Sequence, residues 1–132
     1  MKILPSGLAC SFLAAACALP SPPGERMTGE AFMAAARGNT MDGHGEGGAV
    51  FQTYVAPDLQ QRGTALVPGA PETRFSGVIR AADHGFCSQS PQLRNGAERC
   101  FEVWREGATY RTVWNGRVWT TMVIRPGNPF GL

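Results

Sequence analysis

The chain reads as mainly β, a small antiparallel β-barrel or a strongly coiled meander, with one short N-terminal helix ahead of it. Three observations point there. Short apolar stretches of strand character recur between residues 50 and 124, tight-turn signals separate them, and a helical period occurs only once, before Gly38. A sheet of about seven short strands with no helices to cover it must protect its own edges, and closure into a barrel does that. A β-sandwich built from the same strands stays open as the alternative.

Residues 1–18 read as an export signal. Lys2 supplies the positive start, residues 8–18 an apolar run, and Ala16-Cys17-Ala18 a small-residue cleavage site. The run is shorter than the roughly 20 residues that cross a bilayer. It is therefore expected to be removed after Ala18. A second reading stands beside this one, because Leu13-Ala14-Ala15-Ala16-Cys17 approximates a lipobox, in which Cys17 is lipidated and becomes the N-terminus. Both readings place the protein in the periplasm or among secreted proteins, with a membrane reached only through a lipid on Cys17. Cys10 falls inside the leader and carries no role.

Residues 19–27 are Pro-rich and polar and read as a linker, with Pro22-Pro23 favouring extended backbone. Residues 28–132 then form a single domain, the size expected of one core. Thr28 can cap the free amides of a helix, Glu30 suits the positive end of its dipole, and Gly38 ends it. Phe32 and Ala35 or Ala36 share one face, and a helix this short must pack on something to persist.

The strands follow in order. Residues 50–55 are strand-like, Pro57-Asp58 opens a turn, and residues 62–67 return as the partner. Residues 74–80 alternate, with Phe75, Gly77 and Ile79 on one side. Asp83-His84-Gly85 turns the chain into a strand around Phe86 and Cys87. Residues 99–104, 109–114 and 117–124 complete a meander, the last two joined by Asn115-Gly116, the strongest two-residue hairpin signal in the chain.

Charge excludes some partners. Lys2 is the sole lysine, and the eleven arginines are scattered among ten acidic residues, a mixed solvated surface that does not attract nucleic acid. Cys87 and Cys100 lie thirteen positions apart across a polar loop and, in an oxidising compartment, are expected to form one disulfide. Their spacing matches neither a redox nor a metal motif.

Catalytic chemistry has little to build on. Asp42, His44 and Glu46 alternate in a Gly-rich stretch and are weak metal-ligand candidates, with Asp83 or His84 as a fourth donor, but such stretches are more often connectors. No Gly-x-Ser-x-Gly elbow is present, and Ser76 and Ser88 have no evident base. No enzyme activity, no cofactor and no metal are therefore expected. Aromatic residues are the more informative group. Most belong in the core, yet a small barrel does not readily enclose three tryptophans, so Trp104, Trp114 and Trp119, with Tyr110 beside them, are the candidate ligand-binding residues.

Several short motifs add a resemblance. Thr28-Gly-Glu with Gly38-Asn39-Thr40, Tyr54-Val-Ala-Pro-Asp58 before Arg62-Gly63, the two cysteines, Arg105-Glu-Gly-Ala-Thr-Tyr110 and Pro126-Gly-Asn-Pro129 resemble a group of small exported proteobacterial proteins of unknown function. The resemblance implies a lipocalin-like barrel and brings no catalytic residue with it. The resulting expectation is a disulfide-stapled exported domain with a non-enzymatic binding or envelope role, its partner a small apolar ligand or an envelope protein. A periplasmic inhibitor of a protease or lysozyme, presenting the loop of residues 88–99 or the segment 20–26, is the alternative; a small hydrolase ranks below both.

Overall fold

A computed structural model describes residues 20–132; the leader, Cys10 and Cys17 lie outside the described residues. The elements are β1 (Glu25–Arg26), α1 (Gly29–Ala36), β2 (Thr40–Gly45), β3 (Val50–Val55), β4 (Gln60–Leu66), β5 (Thr73–Ala82), β6 (Gly85–Gln89), β7 (Arg99–Glu106), β8 (Thr109–Trp114) and β9 (Arg117–Arg125). From β2 to β9 each strand pairs antiparallel with the next, and β9 returns to β2 with Thr40 opposite Arg125 and Gly45 opposite Thr120. The ring is closed. An eight-stranded antiparallel barrel, and not a sandwich, is the architecture.

The strand that closes it, β2, is the one that sequence reading takes for a loop. Asp42-Gly43-His44-Gly45 has low strand propensity, but its backbone is paired on both sides, to β3 and to β9. Pairing between residues some eighty positions apart is invisible to local propensity, and here it decides the outcome. Elsewhere the turn chemistry is read directly. Asn115 and Gly116 both adopt left-handed backbone, φ 52° and 74°, as a two-residue hairpin between right-twisted strands requires.

Helix α1 plugs one end of the barrel. Thr28 Oγ1 accepts from the Ala31 amide at 3.1 Å, and the Asn39 side chain donates to the Ala35 carbonyl at 2.8 Å, so both ends are capped. The face bearing Phe32, Met33 and Ala36 is buried, and Phe32 stacks on Phe86 with ring centroids 4.9 Å apart while meeting Tyr110 edge-on. The Gly29 amide donates to the Asp83 carbonyl at 3.0 Å. A Cβ on Gly29 would sit 1.7 Å from the Ala82 carbonyl oxygen, so only glycine lets the helix enter this close to the β5–β6 turn.

Inside the barrel Met41, Val55, Ile79, Phe86, Val103, Tyr110 and Met122 complete the core around the helix. Gly63 faces inward without a side chain, and the Phe75 ring occupies that space: a Cβ on Gly63 would lie 2.3 Å from it. The stretch read as a linker ends in β1, which adds to β7 through Glu25 opposite Arg105 and Arg26 opposite Trp104. Cys87 and Cys100 stand directly opposite one another on β6 and β7 and are bonded. Such a bond fits a chain that matures outside the reducing cytoplasm. Among the described residues no helix is long and apolar enough to cross a membrane.

Candidate functional site: the open mouth of the barrel

Among the described residues nothing plugs the end opposite α1. It is bounded by the turns after β2 and β8 and by the loops after β4 and β6, and it opens on a cavity of about 400 Å³. That lies within the range of small-molecule sites, roughly 300–1,000 Å³. Phe51, Val67, Phe75, Leu93, Phe101 and Trp119 give most of its apolar wall. Toward the middle of the barrel the lining becomes polar and is satisfied within the protein. Gln61, 2% exposed, donates to Ser88 Oγ at 2.8 Å, and the hydroxyls of Thr112 and Thr120 share a hydrogen bond.

The position of Trp119 follows from a bulge. Thr112 pairs with Thr120 but Val113 with Val118, which leaves Trp119 as the extra residue of β9. A bulge re-aims a side chain out of the strict alternation, and the Trp119 ring reaches the cavity. Trp114 meets it edge-on at 5.1 Å, and the Arg99 guanidinium covers both rings, 3.9 Å from Trp114 and 5.4 Å from Trp119. A guanidinium over indole is a favourable contact and holds the pair at the rim.

The loop between β6 and β7 folds across this rim. Ser90 Oγ donates to the Ser76 carbonyl at 2.6 Å and the Gln89 amide group to the Gly96 carbonyl at 2.9 Å. Arg80 grips Glu98 through two hydrogen bonds of 2.9 Å, and these bonds hold the Glu98 carboxyl below its ordinary range. A depressed carboxylate stabilises its contact above the unfolded value, about 4.3, and loses it as the pH falls through the folded one. The pair is exposed, so the effect on global stability is small. The protection factors of the Gly96 and Ala97 amides, taken relative to the intrinsic exchange rate at each pH, are expected to fall on acidification through that window in the native protein. In Glu98→Gln they should already be low at neutral pH; equal protection in the two proteins at neutral pH would refute the tie.

Of the four aromatic candidates, the structure brings Trp114 and Trp119 together at the mouth. Trp104 sits on the outer face of β7, its indole N–H donating to Glu102 at 3.2 Å, next to the Arg26–Glu102 ion pair. Tyr110 is buried, 6% exposed, beneath α1 at the plugged end. Strand alternation explains both, since Trp104 follows the inward Val103, and Tyr110 pairs with the inward Met122. Asp42 and His44 point outward from β2, Asp42 engages Arg125, and Glu46 engages Arg117. They do not gather at ligand distance, and Asp83 and His84 lie at the other end of the barrel. Among the described residues only Cys87, Glu98 and Cys100 cluster closely enough to hold a metal, and both sulfurs are in the disulfide.

Most of the lining escapes sequence reading, Phe51, Leu93, Arg94 and Arg99 among it. Phe51 carries a readable signal, since its alternation with Gln52 and Tyr54 marks an inward face shared with Thr53 and Val55. The others depend on where the β6–β7 loop folds, and Arg94-Asn95-Gly96 by itself resembles an ordinary solvated turn. Comparison of the chain with protein-family models, with curated proteins and with solved structures yields no match. The class rests on fold and site: an eight-stranded antiparallel barrel closed by a helix at one end and open over an apolar cavity at the other.

Proposed function

We propose that this protein is a non-enzymatic binding module of the cell envelope, periplasmic or secreted, that takes a small apolar molecule into the barrel mouth. The cavity carries the reading, because a concave, mostly apolar space with a few fixed polar groups is the ordinary form of a small-molecule site. Its walls are rigid strands, so little ordering accompanies binding. Of the two segments an inhibitor could present, the loop of residues 88–99 is bonded down to β5 and β6 and the segment 20–26 ends paired to β7, which favours binding over inhibition. Kinship with the exported proteobacterial barrels named above is part of the same proposal and rests on the short motifs and the barrel.

A neutral naphthylamine dye tests it, with energy transfer from Trp114 and Trp119 reporting proximity. The native protein is expected to give saturable dye fluorescence. Ala65→Phe, which fills the cavity from β4, should abolish that signal while leaving the far-ultraviolet spectrum unchanged. Equal dye binding by native and filled proteins, or by neither, overturns the proposal.

A further inference from the structure

Among the described residues the rim of the mouth carries two arginines with no carboxylate paired to either. Arg94 and Arg99 both line the cavity, and neither makes a salt bridge among the described residues. The nearby acids are committed elsewhere, Glu98 to Arg80 and Glu46 to Arg117. Two like charges side by side repel, and partial removal from water costs each more. Both effects act on Arg94, whose pKa is lowered first by burial and then by the charge of Arg99. One of its groups is also left without a partner: Nε is inaccessible and finds no acceptor in the protein, while one terminal nitrogen donates weakly to the Ser88 carbonyl at 3.3 Å.

The backbone supporting Arg94 is itself costly. Arg94, Asn95 and Gly96 all lie in the left-handed region, at φ 52°, 56° and 81°. For a residue such as arginine this costs about 1–2 kcal/mol. Strain of this kind persists where surrounding structure enforces it, and it gathers at ligand-binding sites. Here the loop is enforced by the Glu98, Gln89 and Ser90 contacts, and its effect is to bring a guanidinium to an apolar cavity.

We infer that the molecule bound in the mouth is an amphipathic anion, its carboxylate received by Arg94 and Arg99 at the rim and its apolar tail lying along Phe51, Phe75 and Phe101. The inference rests on the reading of the mouth as the binding site. A guanidinium offers a planar fork of donors that matches a carboxylate, and hydrogen bonds between charged partners are about twice as strong as neutral ones. The stack of Arg99 on Trp114 and Trp119 pre-positions one such fork. An anion between the two guanidiniums removes their repulsion.

Displacement of the neutral naphthylamine dye by decanoate, decanol and decyltrimethylammonium, all below their micellar concentrations, separates head group from tail. Decanoate is expected to compete about tenfold more tightly than decanol, with an advantage that shrinks as salt is raised, and the cation should compete worst. Arg94→Gln should weaken decanoate about tenfold and decanol much less, with an unchanged far-ultraviolet spectrum showing that the variant is folded. Equal competition by decanoate and decanol, or equal weakening of both by Arg94→Gln, overturns the anionic head group while leaving an apolar site intact. If the native protein binds none of the four compounds, the mouth reading fails and this inference with it.

Discussion

Phe32→Ala is expected to lower the unfolding free energy by about 3–5 kcal/mol, the usual cost of deleting a fully buried aromatic side chain. Phe32 is 0% exposed and is the central contact of the plug, stacked on Phe86 and edge-on to Tyr110. Its removal leaves a void that strands β5 and β6 cannot close, because each is held by ladders on both sides. Small domains are stable by only about 5–15 kcal/mol, so the variant should sit near the edge of folding. Urea titration by tryptophan fluorescence measures the loss, and Phe32→Leu should lose much less because it keeps most of the volume. Equal stability of native protein and Phe32→Ala would mean that α1 is not part of the cooperative unit.

Removing the Cys87–Cys100 bond as the double variant Cys87→Ala/Cys100→Ala is expected to cost about 3 kcal/mol, the chain-entropy figure for a loop of this length. The bonded residues are 13 positions apart, and the loop between them is the one that bears Arg94. The consequence should therefore be local as well as global. Dye affinity should fall at denaturant concentrations where the barrel is still folded, since the rim loop loses its covalent anchor. Unchanged urea midpoint and unchanged dye affinity would refute both halves of this expectation.

Local pattern makes much of the barrel legible in the sequence. Strands β3 and β8 occupy the residues that alternation assigns to them, Asn115-Gly116 makes its hairpin, and the face containing Phe75 and Ile79 points inward. What was not legible is what long-range pairing creates. Strand β2 exists because β3 and β9 flank it, in spite of its glycines. The site was half legible for a related reason. Trp114 and Trp119 could be named as surplus to the core, but only the bulge at Trp119 and the folded-back β6–β7 loop determine that they meet Arg99 at a rim. Trp104 and Tyr110, chosen by the same compositional argument, are separated from that rim because closure of the ring assigns one to its outside and the other to the plugged end.

Chain entry at β1 has a consequence for how the domain is held. Gly24 and Glu25 lie against Arg105 and Glu106, beside the turn that follows β7, at the helix-plugged end. Gly127, just after β9, bonds to Asn39 and Thr40 at that same end. Any tether joined upstream of Pro20, whether a lipid, a fusion partner or a solid support, would thus grip the domain by its base like the stem of a cup. The opening lies at the opposite end of the barrel, so a ligand of the kind proposed for it would enter from the side away from that point of attachment.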